Sequence, residues 1–266
     1  MSYNSSPDIR GMEPVYSGER AKRLDQNILY AQKLQDALFR NTNVQSLFKD
    51  NFIFDRPKDL VGGDFYLIDQ VAGQKMVLVG DCTGHGPSGA MLSALCVSIL
   101  KDLITKYKTL SPSLIIDKAL QKLHEMLENG VIHDGMEVTL AFIHESRKEI
   151  RFASTGQSMF LYGAEVQRTI KFPHIGFDGS LMHKLKDQVV SYQADTMLYL
   201  ATDGMKDQFG SETGRRYSAK KMADCFASCW QRSCADQESA IAAQFEAWQG
   251  ALEDQTDDVL LIGLKL

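Results

Sequence analysis

Five aspartates stand where runs of strand-like sequence begin or end. Asp64 follows Gly62-Gly63. Asp81 closes Met76-Val77-Leu78-Val79-Gly80 and opens Cys82-Thr83-Gly84-His85-Gly86. Asp203 closes the run 197–202 and precedes Gly204, and Asp257 and Asp258 lead into the last run, VLLIGLKL. A strand holds a side chain rigidly, and a neighbouring glycine lets backbone and solvent approach it. Aspartate is a hard oxygen donor suited to Mg²⁺ or Mn²⁺. If these ends converge, two carboxylates about 4 Å apart repel by roughly 4 kcal/mol at an effective dielectric of 20. Four of them need divalent cations to stay ionised. Two metals about 3.5–4 Å apart then activate a water and neutralise a phosphoryl group. Taken singly, each Asp is equally a turn or cap residue. The repetition of strand, Asp and Gly sets them apart.

The elements that must position them follow from pattern. Residues 1–18 are polar, with Pro7, Gly11, Pro14 and Gly18, and read as a flexible lead-in. From Glu19 to Arg40, Leu24, Ile28, Ala31, Leu34 and Leu38 draw one apolar stripe, which predicts an amphipathic helix. Residues 19–44 are assigned to this linker and 45–266 to one catalytic domain, since no shift of composition divides the latter. Strands are expected at 52–54, 64–71 and 75–80, the last two forming a hairpin over Ala72-Gly73-Gln74. Helices follow at 86–107 and 111–128, then strands at 137–145, 148–155, 158–171, 188–193 and 196–202. Helices at about 218–232 and 236–249 precede a strand at 259–266. Consecutive hairpins with helices grouped between them indicate an α+β fold with antiparallel sheets.

Composition excludes several classes. Of the 266 residues, 44% are hydrophobic and 24% charged, ordinary for a globular chain and unlike a disordered one. The formal net charge of −5 carries no footprint for nucleic acid. No run of about 18 consecutive apolar residues offers a membrane span, and the polar N-terminus lacks a signal-peptide core. Cys82, Cys96, Cys225, Cys229 and Cys234 are odd in number and read as reduced thiols, which favours a cytoplasmic setting. Cys225, Cys229 and Cys234 read as helix thiols facing a core rather than zinc ligands, with no histidine near them.

Several ordered motifs resemble one family. They are Val61-Gly62-Gly63-Asp64-Phe65-Tyr66, Gly80-Asp81-Cys82-Thr83-Gly84-His85-Gly86, residues 135–140 (GMEVTL), residues 152–156 (FASTG), residues 201–210 (ATDGMKDQFG) and Gln255-Thr256-Asp257-Asp258-Val259. Together with the helix at 31–38, they are similar to the SpoIIE-type, RsbU-like protein serine/threonine phosphatases. These are bacterial relatives of the type 2C, metal-dependent (PPM) phosphatases, and the likeness spans about residues 28–266. It implies an antiparallel β-sandwich flanked by helices in α-β-β-α layers, with an N-terminal helical linker. It also implies two Mn²⁺ or Mg²⁺ ions. Asp81 matches the aspartate bridging them, and the backbone carbonyl of Cys82 a further ligand. Asp64 matches the acidic residue of the second metal, and Asp203 and Asp257 the carboxylates of the first. Asp258 holds the neighbouring position, and Asp207 resembles the acidic residue tied to a looser third metal. Activated water would attack phosphoserine or phosphothreonine in line, without a covalent enzyme intermediate. His85 is placed as a proton donor or as the residue orienting its loop.

The sequence departs from the family at Gln157, where histidine is common, and at Glu137, often apolar or Asp. No arginine for gripping phosphate stands out, which leaves that work to the metals. The rival motifs are incomplete. Gly62-Gly63-Asp64-Phe65 lacks the acidic residue that a GGDEF signature has before Phe. No cysteine is followed six positions on by arginine, no G-x-S-x-G elbow is complete, and no P-loop is present. The alternative of another class is a non-catalytic binding module on the same fold, against which all four principal aspartates stand. The resemblance further implies a partner-switching pathway with a phosphorylated STAS-type (anti-sigma-factor-antagonist-like) protein as substrate. Such domains follow sensor modules, often membrane-bound, through a helical linker. This chain contains no sensor and no membrane contact of its own, and its helix at 19–40 reads as the stub of that linker and as a homodimerising element.

Overall fold

The computed structural model describes residues 18–39, 44–107, 111–127, 135–172 and 185–266. Of the expected flexible lead-in at 1–18, residues 1–17 lie outside them. Helix α1 (Glu19–Phe39) and a short turn α2 (Val44–Leu47) lead into strands β1 (Asn51–Arg56), β2 (Phe65–Val71) and β3 (Gln74–Cys82). Helices α3 (Gly86–Tyr107) and α4 (Pro112–Leu127) follow, then β4 (Met136–His144), β5 (Glu149–Ser154), β6 (Met159–Tyr162), β7 (Gln167–Ile170), β8 (Gln188–Ser191) and β9 (Met197–Ala201). Helices α5 (Gly204–Asp207), α6 (Ser218–Cys229) and α7 (Cys234–Gln249) precede β10 (Val259–Lys265).

The strands form two five-stranded antiparallel sheets, ordered β1-β10-β9-β6-β7 and β2-β3-β4-β5-β8. Alternation along each strand divides its side chains between two cores. In β3, Val77 and Val79 point between the sheets, where they meet Leu198, Leu200, Leu260 and Ile262. Met76 and Leu78 point outward onto α3 and α4 through Cys96, Leu100, Ile116 and Leu120. In β9, Tyr199 and Met197 point the other way, onto Phe226 of α6 and Phe245 of α7. The order of layers is therefore α-β-β-α, as the resemblance implied. Covering both faces of both sheets explains why the strands read as nearly unbroken apolar runs.

Two expectations are corrected. The single strand over 158–171 is a hairpin, β6 and β7, turned at Gly163, whose N–H donates to the Val166 carbonyl at 2.7 Å. Helix α7 starts at Cys234 rather than 236, because Ser233 caps it by accepting from the Asp236 N–H. The turns α2 and α5 have too few residues for periodicity to show. By length and composition α3 is long and apolar enough to cross a membrane, although Ser93, Ser98, Lys101 and Asp102 interrupt its apolar run. Here its apolar side is a layer packed on β3 and α4. The five thiols are all buried, as expected of Cys225, Cys229 and Cys234 as core-facing residues.

Helix α1 packs on the sandwich through its C-terminal half: Phe39 is buried against Phe65, Lys101 Nζ of α3 donates to the Leu38 carbonyl at 3.0 Å, and Gln35 makes the polar contact. The Gln35 amide grips Gly62 from both sides: Nε2 donates to the Gly62 carbonyl at 2.7 Å, and the Gly62 N–H donates to Oε1 at 3.2 Å. Gln35 Nε2 also reaches Ser93 Oγ of α3 at 3.2 Å. Of the expected apolar stripe, Leu24, Ala31, Leu34 and Leu38 are exposed and Ile28 is half-buried; Leu29 and Tyr30 beside it are exposed too.

Candidate active site

The predicted aspartates meet at one end of the sandwich, and each sheet supplies two. Asp64 precedes β2 and Asp81 lies in β3. Asp203 follows β9 and Asp257 precedes β10. All four are partly exposed, as the floor of an open site must be. Thr202 joins the sheets, its hydroxyl donating to Asp64 Oδ2 at 2.7 Å while its N–H donates to the Leu260 carbonyl.

The electrostatics follows from this crowding. Burial pushes the Asp64 carboxyl well above its ordinary 3.8; Asp258, Asp203 and Asp257 push it further, against the Thr202 hydrogen bond. Burial does the same to Asp81, and Asp64, Asp203, Asp257 and Glu137 add to it. Asp203 is raised chiefly by burial, with Lys206 pulling it down and Asp207 and Asp257 pushing it up. A hollow of carboxylates that resist ionisation for lack of positive charge is the donor set that a hard divalent cation relieves. The donor types fit, but their spacing here does not close on an ion: among the described residues, no group of three or more His, Cys, Asp or Glu is arranged to hold a metal.

The supporting loops are built by close approach. A Cβ on Gly63 would stand 2.7 Å from the Gly84 carbonyl and 2.8 Å from that of Cys82, so only glycine brings this strap against the Cys82 carbonyl. A Cβ on Gly204 would stand 1.9 Å from the Asp258 carbonyl, so only glycine lets α5 begin beside Asp257-Asp258. Asp258 is 3% exposed and commits both oxygens to backbone: Gly63 N–H donates to Oδ2 at 2.6 Å and Lys58 N–H to Oδ1 at 2.7 Å. It clamps the Asp64 strap.

His85 lies at the rim, with Nδ1 3.0 Å from Asp59 Oδ2 and Nε2 3.1 Å from Lys58 Nζ. An ammonium can only donate, so Nε2 accepts and the proton is assigned to Nδ1, facing Asp59. Gln157 is buried, and its Oε1 has no partner. It borders a hole of about 10 Å³, shared with Asp203 and Lys206, with room for one water.

Sequence reasoning had noted Glu137 only as a departure. Register places it directly opposite Asp81 across the β3–β4 pair, and setting the two motifs on neighbouring antiparallel strands would have found it. Thr202, Lys206 and Arg216 were missed. Lys206 Nζ lies 3.8 Å from Asp203 Oδ2, and Arg216 Nη1 lies 3.0 Å from Asp207 Oδ1. Nothing local marked Arg216, nine residues beyond its partner.

Comparison with known proteins agrees with this layout. The SiaA-PP2C domain of Pseudomonas aeruginosa superposes with a TM-score of 0.86 at 25% identity, covering 94% of this chain and 100% of that one. The PP2C phosphatase domain of SpoIIE from Bacillus subtilis, with a fragment of its regulatory domain, shares the fold at a TM-score of 0.65 and 12% identity, covering 82% and 63%. RsbX in complex with magnesium does so at 0.57 and 15%, covering 81% and 94%. A search of curated proteins by sequence finds no match. The family model for Stage II sporulation protein E (SpoIIE) matches residues 72–266, well over half the chain. With two antiparallel sheets between helix pairs and carboxylates gathered at their ends, the chain belongs to the SpoIIE family of PPM-type phosphatase domains.

Proposed function

We propose that this chain is a metal-dependent protein serine/threonine phosphatase. The observation that carries the reading is the meeting of four carboxylates from two sheets, with burial and mutual repulsion raising those whose shifts stand out. Asp81 and the Cys82 carbonyl, with Asp64 on one side and Asp203 and Asp257 on the other, would hold two Mn²⁺ or Mg²⁺ ions. When bound, these supply the charge that activates water and neutralises the phosphoryl oxygens. The chain's own contribution is rigid placement. Thr202 orients Asp64, Asp258 fixes the strap before it, and the β9–β10 pairing brings together the strand ends that carry Asp203 and Asp257. Asp207 lies at the edge as the third-metal candidate. His85, with Nδ1 on Asp59 and Nε2 on Lys58, is better placed to order its loop than to donate from Nε2.

The substrate class supported by the resemblance is a phosphoserine or phosphothreonine on a small regulatory protein of the STAS type. The exposed stripe of α1 supports homodimerisation, and the buried free thiols support a cytoplasmic setting. The deciding test is phosphate release from a phosphorylated STAS protein with Mn²⁺, followed on phosphate-affinity gels. Hydrolysis abolished by chelation and by Asp81→Ala is expected. Binding of the phosphoprotein without hydrolysis would identify the chain as a non-catalytic partner instead.

A further inference from the structure

The chain crosses from one sheet to the other between Ser154, the last residue of β5, and Met159, the first of β6. That crossing is firmly held. The Thr155 N–H donates to the Val138 carbonyl at 3.1 Å, and Thr155 Oγ1 accepts from the Val138 N–H at 2.8 Å. Ser154 Oγ accepts from the Thr139 hydroxyl at 2.8 Å and donates to the Gln157 carbonyl at 3.1 Å. A Cβ on Gly156 would stand 2.8 Å from Glu137 Oε2, so the loop lies directly against the residue that faces Asp81.

Gln157 ends this loop with its side chain buried, 3% exposed. Its Nε2 donates to the Glu137 carbonyl at 3.4 Å, and a carbonyl only accepts, so the amide nitrogen belongs there and the oxygen on the other side. Among the described residues, that oxygen has no donor. A buried acceptor without a donor is rare in folded proteins. The hole it borders, about 10 Å³ and lined also by Asp203 and Lys206, is the size of one water. Asp203 has a matching need. It stands at the N-cap of α5, yet its carboxyl makes no cap bond, and Lys206 Nζ at 3.8 Å is too far for a hydrogen bond.

We propose that one water held in this hole ties Gln157 to Asp203 and makes Gln157 a positioning residue for the site. The water donates one hydrogen to Gln157 Oε1 and the other to the Asp203 carboxylate, and it accepts from the Lys206 ammonium. About three bonds is the usual complement of a buried water, and a bridge of this kind holds nearly as well as a direct bond. The crossing loop then reaches from Glu137, opposite Asp81 on one sheet, to Asp203 at the end of the other. It sets the spacing of two carboxylates that no shared strand connects. The proposal rests on the phosphatase reading above and names what holds one of its ligands.

The test begins with a crystal structure of the whole chain grown with Mn²⁺, at a resolution that shows ordered water. One peak within about 3 Å of both Gln157 Oε1 and Asp203, without anomalous signal from Mn²⁺, is expected. An empty hole, a cation in it, or Lys206 bonded directly to Oε1 overturns the proposal. Gln157→Met keeps the volume and removes the acceptor. Calorimetric titration with Mn²⁺ should then show one ion weakened about tenfold and the other unmoved, and kcat on a phosphoserine peptide should fall about tenfold with KM within about threefold. Gln157→Asn keeps an amide and leaves room for a second water, so it should stay within about threefold of the parent. Ala219→Val, at a half-buried position lining the hole, displaces the water with Gln157 intact and should reproduce the loss even where Gln157→Met fails to fold. A lowered Tm with metal affinity and kcat unmoved in these variants overturns the positioning role. A wild-type chain that binds Mn²⁺ and hydrolyses no peptide sinks the phosphatase reading instead, and the density and the titrations still decide what holds Asp203.

Discussion

The middle and the end of a strand obey opposite rules in this molecule. Mid-strand, Val77, Val79, Leu198 and Leu200 are fully buried among apolar neighbours and satisfied by them. A few residues along the same strands, Asp81 and Asp203 face other carboxylates and are pushed toward protonation. The middle contributes stability and needs nothing from outside. The end gives stability up, and what it gains is an affinity for positive charge.

The largest effect that would test this contrast is on turnover. Asp81→Ala should lower Mn²⁺-dependent phosphate release at least a hundredfold, by analogy with removal of a metal ligand. The metal-free variant should melt no lower than the metal-free parent, since a repelled carboxyl has been removed. A fall in both activity and apo stability would erase the contrast.

Next comes the core. Phe226 stacks on Tyr199 with ring centres 4.4 Å apart and is fully buried. Phe226→Ala should cost about 3–5 kcal/mol in denaturant unfolding. Metal affinity measured per folded molecule should not move; if it does, the middle and the end are not separable.

A smaller effect concerns pH and metal together. Asp64 and Asp81 have folded pKa values raised above 3.8. The folded metal-free chain therefore holds protons that the unfolded chain releases. Their contribution is fully present below about 3.8 and is lost as pH rises through the folded values, so apo stability should decline from acid toward neutral. Saturating Mn²⁺ at about a hundred times Kd should return about 2.7 kcal/mol, raising Tm by roughly 5–10 °C at neutral pH. An apo Tm that climbs steadily from pH 4 to 7 would contradict the sign.

The smallest effect on stability belongs to α1. Leu24→Ser with Leu34→Ser should change unfolding by no more than about 0.5 kcal/mol per site, because both side chains are exposed. Sedimentation should nevertheless show loss of self-association. A monomer before and after substitution would remove the dimer from the picture.

Most elements were legible in sequence because each face of each sheet is covered, so the apolar runs are long and their breaks sharp. Helix α3 falls on its expected bounds, 86–107, between Gly86 and the end of its apolar pattern. The split at Gly163 was less visible, since Met159–Tyr162 and Gln167–Ile170 both look extended. The candidate site was legible where chemistry and strand ends coincide, at Asp64, Asp81, Asp203 and Asp257. Its supports were not. Thr202 meets Asp64 across 138 positions and Asp258 meets Gly63 across 195. Such contacts are decided by how two sheets are stacked, and no local pattern encodes that stacking.

That stacking has a mechanical side. The two sheets share an apolar seam, which resists separation far better than sliding, since van der Waals contacts re-form after a small displacement. The carboxylate pairs sit on opposite sides of this seam, two on each sheet. Cations held between them would act as a rivet, locking the slip of one sheet against the other at that end. Metal loading should then slow amide exchange at the ends of β3, β9 and β10 more than at their centres, turning the catalytic floor into the stiffest part of the sandwich.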